Sequence, residues 1–220
     1  MTALTAEEIT LVNLALMRIG SSTSIATSTE GTNEYRIAEI VYTDARNHVL
    51  ADIEWPFATK RASLGAASGT PPTNWAYQYI QPSDCLKMRR VVPASASTRR
   101  DEPIPFKLNS LVTQTAVITN EVSAAAEYTA VVTLTSLFSP TFKNALSYYL
   151  GAELALGLRA KPEIAKGALD GYNTIRQGVM EPGYLEGLED ANVTRFDSAA
   201  TVTAVSIFNM ALVKIGRMSF

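Results

Sequence analysis

Residues 139–158 have the sequence SPTFKNALSYYLGAELALGL, which places apolar side chains on nearly every side of one predicted helix. Ser139 is predicted to cap this helix, with Pro140 in its first turn. Lys143 and Glu153 interrupt the apolar surface. A helix that is apolar on every side must be covered on every side, so we expect other elements or a second subunit to pack around it.

Two helices are predicted before this stretch. Thr5 and Glu8 have the spacing of a capping box, and Gly20 is predicted to end the helix that begins there. Asn33 is predicted to cap a second helix, whose apolar residues recur at helical spacing. Pro56 is expected to stop that helix, because the residue before a proline avoids the helical conformation.

One more helix is predicted after it. Pro162 suits the first turn of a helix that runs through about Gln177. Gly151 and Gly157 both lie inside the apolar helix, where small residues permit close helix packing. A phosphate-binding loop would instead follow a strand, so the glycines do not predict a nucleotide site.

Residues 57–135 have a different composition, with most of the prolines and several β-branched runs. Strands are predicted at residues 75–80, 88–92, 111–119 and 127–135. The predicted fold class is therefore α+β, since helices and strands are segregated along the chain. The predicted domains are a helical bundle of residues 1–56 and 137–180 and an inserted small β domain of residues 57–136.

The beginning of the chain is repeated near its end. Residues 11–20 are LVNLALMRIG, and residues 207–216 are IFNMALVKIG, so Asn, Ala, Leu, Ile and Gly are identical in place. We predict a linker at residues 181–200 and a C-terminal helical arm at residues 201–220. The predicted docking residues of the two copies are Asn13, Leu16, Ile19, Asn209, Leu212 and Ile215.

The composition favours assembly over catalysis. Apolar residues make up 47% of the 220-residue chain and charged residues 18%, below the ~25% of an average domain. Such a charge-poor surface suits subunit contacts, although a compact monomer rich in Ala, Ser and Thr would also fit. The net charge of −2 excludes a global basic field that would hold nucleic acid.

The sequence also constrains the cellular compartment in which the protein is used. A single cysteine, Cys85, excludes an intrachain disulfide and fits a reducing cytosol. No apolar run approaches the ~20 residues of a membrane span, so no membrane partner is predicted. Glu7 and Glu8 stand where a signal peptide would carry basic residues. The protein is predicted to be used in the cytoplasm or packed into a particle assembled there.

The residues that could carry chemistry do not form a recognisable site. His48 is the only histidine, and nothing near it in sequence marks a catalytic triad. Cys85 lies near Lys87, but a small apolar residue at the start of a strand is the favoured interpretation. One Cys and one His cannot make a zinc site. Three pairs of adjacent carboxylates are interpreted as a helix cap (Glu7 and Glu8) and as solvated loop charges (Asp101 and Glu102, Glu189 and Asp190). We therefore predict no enzyme, metal or cofactor.

Basic residues concentrate in the predicted β domain. Four arginines in two pairs are candidate contacts for phosphates or an acidic partner surface: Arg89, Arg90, Arg99 and Arg100. Solvated strand ends and loop tips are the alternative interpretation, which we favour because no aromatic residues are interleaved to stack on bases. Any contact with nucleic acid would be weak and independent of base sequence.

Several motifs in a fixed order carry a family resemblance. After residues 13–20 (NLALMRIG), they are WPFATKRASL at 55–64, WAYQY at 75–79, PSDCLKM at 82–88, LFSPTF at 137–142, AL at 145–146 and LGAELA at 150–155. This pattern resembles the head-to-tail adaptor proteins of short-tailed bacteriophages, also called tail tubular protein A. The resemblance covers about residues 8–178.

The resemblance implies a helical bundle with an inserted β domain. It implies a ring, usually of twelve copies, between the portal protein and the tail nozzle protein, with double-stranded DNA passing through the centre. The protein would then be located at the virion neck after assembly in the host cytoplasm. Within the apolar helix, the residues predicted to pack between subunits are Phe142, Leu146, Tyr149, Leu150 and Leu154.

The C-terminal repeat departs from the family pattern. It is either a duplicated start of the domain or an arm that docks on a neighbouring subunit or on the portal, and the arm is our hypothesis. Three other functions stay open: a tail-associated muralytic enzyme, which would need two facing carboxylates, a weak non-specific DNA-binding module, and a bacterial domain with a similar bundle.

Overall fold

Helices and strands occupy separate parts of the chain, and the predicted α+β fold class is confirmed. The computed structural model describes residues 3–28, 31–95, 104–111 and 114–180. The helices are α1 (Ala6–Arg18), α2 (Asn33–Asp52), α3 (Pro140–Gly157) and α4 (Pro162–Met180). The strands are β1 (Thr59–Ser63), β2 (Tyr77–Ile80), β3 (Cys85–Pro93), β4 (Phe106–Ser110), β5 (Thr115–Thr119) and β6 (Ala124–Ala130). Residues 181–220, with the predicted linker and arm, lie outside the described residues.

The ends of α1 are formed as predicted. The Thr5 amide donates to Glu8 Oε2 at 2.8 Å, and the Glu8 amide donates to Thr5 Oγ1 at 3.3 Å, which completes the capping box. Gly20 has a positive φ of 73°, a conformation that glycine adopts without steric cost. The Ser21 amide then donates to the Leu16 carbonyl at 3.0 Å, which satisfies one of the last carbonyls of the helix.

The cap of α2 differs by one residue from the prediction. Thr32, and not Asn33, is the cap, since its hydroxyl accepts from the Tyr35 amide at 3.3 Å. At the other end Ile53 is extended, and the Trp55 indole donates to the Val49 carbonyl at 2.9 Å. The helix therefore ends before Pro56, as expected.

α3 contacts each of the other three helices, which explains its apolar surface. Two glycines permit the close approach predicted for them. A Cβ at Gly151 would lie 3.2 Å from the Ala15 carbonyl oxygen of α1, and a Cβ at Gly157 would lie 2.6 Å from Ile37 of α2. The buried core of the bundle thus forms around α3.

The strands form two three-stranded antiparallel sheets. The strand order is β1-β6-β3 in one sheet and β2-β5-β4 in the other. Every residue of β6, the central strand of the first sheet, is buried. A second apolar core, separate from that of the helices, includes Tyr79, Val91, Val117 and Tyr128.

The strand predictions were partly wrong. β1 and β4 were missed because they are edge strands with exposed lysines, TKRAS and FKLNS, and lack the β-branched runs of a buried strand. The predicted strand 127–135 is displaced, since β6 spans Ala124–Ala130 and a 3₁₀ helix follows at Thr135–Leu137. The alanines that begin β6 have low strand propensity, and burial on both faces outweighs it.

Candidate interaction surfaces

Four of the side chains predicted to pack between subunits lie in the chain's own core. Phe142, Leu146, Leu150 and Leu154 are each 0% exposed. They leave no surface for a neighbouring subunit, so the predicted role of these four is corrected to packing within the chain. The cover that their apolar helix requires comes from α1, α2 and α4.

Tyr149, the fifth of these residues, is half-buried at a small cleft. Its ring stacks on His48 of α2, with ring centroids 4.4 Å apart and planes 10° apart, and meets Tyr172 of α4 edge-on at 5.2 Å. Asp44 and Glu153 also line this cleft of about 240 Å³. Burial, together with the Glu153 carboxylate, raises the pKa of Tyr149. The lone histidine therefore has an aromatic packing contact that links α2 to α3.

The predicted docking residues of α1 contact their own chain. Leu16 is 1% exposed, and Ile19 packs against the helical core. The Asn13 side chain donates to the Ile25 carbonyl and accepts from the Ile25 amide, both at 2.8 Å. Asn13 thereby fixes the loop after α1 to the helix.

Arg18, the last residue of α1, binds the side of α3. Its guanidinium donates to Asn144 Oδ1 at 2.7 Å and to the Tyr148 hydroxyl at 3.0 Å. The same group lies 4.2 Å from the centre of the Tyr148 ring, within the range of a cation–π interaction. Met17, next to it, is 72% exposed. Met17 is therefore an exposed apolar side chain beside a fixed charge.

The remaining predicted sites fall outside the described ranges. These are Asn209, Leu212 and Ile215 of the repeat, and Arg99 and Arg100 of the second arginine pair. Their predicted roles stay predictions.

Arg89 joins the first sheet to the helical bundle. Its guanidinium donates to the Ala51 and Ile53 carbonyls at the end of α2, at 3.0 and 2.9 Å, and to Thr129 Oγ1 at 2.8 Å. Lys87 of the same strand donates to the Ala51 carbonyl at 2.9 Å. These cations satisfy the open carbonyls at a helix C-terminus. Arg89 therefore holds two parts of the fold together, a different role from the phosphate contact predicted for it.

Arg90 neutralises a buried carboxylate. Its Nε lies 2.5 Å from Glu127 Oε2, and Arg61 Nη1 lies 3.7 Å from Glu127 Oε1. Glu127 is only 7% exposed, so its charge needs these partners. Binding a phosphate through Arg90 would leave this carboxylate less well paired.

Asp84 is a second charged junction in the β region. It pairs with Lys60 at 2.7 Å and accepts from the Tyr128 hydroxyl at 2.9 Å. Burial and this hydrogen bond raise the pKa of Tyr128 to about 12. For the adjacent Cys85, burial raises the pKa of the thiol, partly offset by a hydrogen bond from Gln81. The structure thus disfavours a reactive thiolate at Cys85.

A cluster on α2 and α4 was missed in the sequence. Asp52 Oδ2 accepts from the Tyr172 hydroxyl at 2.7 Å and lies 2.6 Å from Arg176 Nε. Burial alone would raise the pKa of Asp52, but the hydrogen bond from Tyr172 and the charge of Arg176 outweigh it and lower the pKa. No local pattern signals this contact, because the aspartate and the tyrosine are 120 positions apart.

A cleft of about 660 Å³ lies between α1, α2 and the segment before α3. Its apolar rim includes Ile40 and Leu134, which are 56% and 63% exposed. Tyr42 lines the cleft, is 1% exposed, and has no hydrogen-bond partner for its hydroxyl among the described residues. Burial raises the pKa of Tyr42; Glu8 adds to this and Arg46 opposes it. We call this feature the Ile40–Leu134 cleft.

The described carboxylates form no metal cluster. Glu8 belongs to the capping box of α1, and Glu7 accepts from the Thr135 hydroxyl. Within the described ranges, no group of three or more His, Cys, Asp or Glu residues has a metal-binding arrangement. Among the helices described there, none has the length and apolar character to span a membrane.

Comparison with known proteins gives no family assignment. No family model matches the chain, and no curated protein matches it significantly. The functional proposal therefore depends on the chain's own motifs and geometry.

Proposed function

We propose that this protein is a structural head-to-tail adaptor of a bacteriophage virion. In this proposal its copies form a ring between the portal and the tail nozzle, and double-stranded DNA passes through the ring. The support comes from the ordered motifs that resemble the adaptor family, together with the way the fold uses those motifs.

The observation that carries the proposal is that two of those motifs meet in space. Trp55 and Phe57 follow α2 and pack against two phenylalanines, Phe138 just before α3 and Phe142 in its first turn. The ring centroids of Trp55 and Phe57 each lie 5.2 Å from that of Phe142, and those of Phe57 and Phe138 lie 5.9 Å apart. The chain leaves the bundle and returns to it through this aromatic cluster. Two of the motifs that resemble the adaptors thus meet at the junction between the helical bundle and the strands.

The Ile40–Leu134 cleft is our candidate for the lateral contact between subunits. Exposed apolar groups on both sides of a concave surface suit a neighbouring protein surface. Leu137, three residues after Leu134, is also exposed, at 53%. This surface replaces the buried α3 side chains as the proposed packing site.

A weak hold on DNA is consistent with this role. The chain has a net charge of −2, and the described arginines of β3 bind helix carbonyls and a buried carboxylate. DNA that moves through a channel needs few fixed phosphate contacts, because each contact adds affinity that slows release.

The test is immunogold labelling of the chain on virions of its parent phage. Gold at the neck, between head and tail, is the expected result, and antibody against a capsid protein is the control for labelling specificity. If intact particles stay unlabelled, mildly disrupted particles and their protein bands are probed to expose covered epitopes. Absence of the chain from those as well would remove the structural proposal.

A further inference from the structure

α1 occupies a shaped site on the rest of its own chain. A Cβ at Gly151 of α3 would lie 3.2 Å from the Ala15 carbonyl oxygen, so the two helices are in close contact there. Asn144 and Tyr148 bind the guanidinium at the end of α1, and the Ile25 backbone binds its asparagine. We call this site, defined by Gly151, Asn144, Tyr148 and Ile25, the α1 slot.

The C-terminal repeat keeps the residue types that α1 uses in this slot. The residues that are identical in the two copies are Asn13 and Asn209, Ala15 and Ala211, Leu16 and Leu212, Ile19 and Ile215, and Gly20 and Gly216. Lys214 matches Arg18, whose guanidinium binds Asn144 and Tyr148, so the repeat keeps a cation at this position of its sequence. The Asn is informative, because both polar atoms of its side chain are engaged in α1.

The repeat keeps the buried positions of α1 apolar. Ile9, Leu11 and Val12 become Val205, Ile207 and Phe208. In the first turn, exposed Glu7 is replaced by Thr203 and partly buried Glu8 by Ala204, whereas exposed Thr5 and Gly20 are identical in the repeat. A segment selected only for solubility would have no reason to keep the buried set apolar.

We propose that residues 201–220 occupy the α1 slot of a second copy of this chain. The repeat is a poorer ligand than α1 for this slot in any copy: it lacks the capping carboxylate of Glu8, and Phe208 is larger than Val12, which is 0% exposed. Inside one chain, exchange replaces a better helix by a worse one and links nothing. Between copies, the same cost is offset because the exchange links neighbouring chains.

The chain has the length that this exchange requires. The described part ends at Met180, and the twenty residues 181–200 precede the repeat. Twenty extended residues span at most about 60–70 Å, more than the width of a small domain. The inference rests on the proposed function, because a ring brings neighbouring slots within this reach at high local concentration.

Crosslinking of the purified full-length chain tests the proposal. In a Cys85→Ser background, Asn144→Cys and Lys214→Cys are joined with a short bismaleimide, since position 214 matches the arginine that lies 2.7 Å from Asn144. We expect covalent dimers and longer ladders, at least tenfold above a control pair of Asn144→Cys and Ser206→Cys. Ser206 matches Thr10, two helical turns away on α1. Dimer yields equal to the control, or links only within one chain, would overturn the proposal.

A rescue experiment provides a second, independent measurement. Ala15→Asp places a charge where α1 meets Gly151 and should expel α1 from the slot. We expect this variant to stay folded as oligomers whose melting temperature rises with concentration, and the double variant Ala15→Asp with Ala211→Asp to unfold. Met17→Asp, on the exposed face, is the control. Equal unfolding of the single and double variants, or a folded Ala15→Asp monomer, would contradict exchange between copies.

Both experiments use the purified chain without virions. Their failure would leave the adaptor proposal standing, with the arm free to dock elsewhere. Loss of the neck labelling would instead remove the adaptor proposal, whatever the crosslinks show.

Discussion

Arg89 shows how one cation can connect a sheet to a helix end. Its hydrogen bonds reach two carbonyls at the end of α2 and one hydroxyl of β6. Nothing in the local sequence distinguishes it from a phosphate-binding arginine, because its partners lie 36 to 40 positions away. The capping box of α1 could be predicted because its two residues are three positions apart. At the residue scale, a contact can be predicted from the sequence when its two residues are close together in the sequence.

Arg89→Gln is expected to lower the free energy of unfolding by about 2–3 kcal/mol, because partly buried hydrogen bonds from a charged donor are lost. Urea unfolding followed by circular dichroism measures this. Lys107→Gln, at an exposed position of edge strand β4, is the matched control and should change the free energy by less than about 0.5 kcal/mol. Equal effects of the two substitutions would contradict the structural role of Arg89.

At the scale of elements, the helices were predicted better than the strands. Helical spacing, proline and glycine mark α1 to α4 within a few residues, since these signals are local. β1 and β4 carry no such signal, and their pairing with β6 and β5 depends on residues far along the chain. The stacking of His48 on Tyr149 and the Asp52 cluster were not predicted, because their residues are also far apart in sequence.

Two glycines of α4 should respond to alanine with opposite signs. A Cβ at Gly167 would meet no atom of another described element within 4 Å, so Gly167→Ala should stabilise the protein by about 0.5–1 kcal/mol through helix propensity. A Cβ at Gly171 would lie 2.6 Å from the Tyr148 ring, so Gly171→Ala should destabilise it by about 1–2 kcal/mol. Thermal unfolding of the two variants beside the unchanged protein measures this. A gain in stability from both substitutions would show that Tyr148 moves aside without cost.

The bond between α4 and α2 should depend on pH. The folded pKa of Asp52 is below its unfolded value, so its contribution to stability is present above about pH 4 and is lost as the pH falls through the folded pKa. Asp52→Asn should therefore reduce the loss of stability at acid pH. Tyr172→Phe should reduce this pH dependence as well, because it removes one hydrogen bond that lowers the pKa of Asp52. Urea unfolding between pH 3 and 7 measures the slopes. An unchanged acid slope in Asp52→Asn would contradict this assignment.

At the scale of the whole molecule, the sequence predicted that five α3 side chains pack between subunits, but four of the five are buried within the chain. The burial of α3 could not be inferred from its own sequence, because an apolar helix is covered equally well by its own chain or by a neighbour. The exposed rim of the Ile40–Leu134 cleft became visible only with the fold. The cleft brings together segments that are distant in sequence, and the sequence pattern alone does not show that they are neighbours.

The double variant Ile40→Asp and Leu134→Asp should assemble less than the unchanged chain, because charges would enter an apolar subunit contact. Sedimentation velocity should show a shift to monomer, with the free energy of unfolding changed by less than about 1 kcal/mol since both side chains are exposed. Leu108→Asp with Val122→Asp is the matched control, at 51% and 66% exposure. Equal assembly by both double variants would exclude this cleft from the interface.

The central position of α3 also has a consequence during synthesis on the ribosome. α1 ends at Arg18 and α2 ends at Asp52, but the helix that covers both begins only at Pro140. At a translation rate of about 5–20 residues per second, the apolar face of α1 stays uncovered for roughly 5–25 s before α3 is synthesised. Nascent chains halted before residue 140 should therefore bind holdase chaperones and be cut readily by proteases, and release from both should coincide with the emergence of α3.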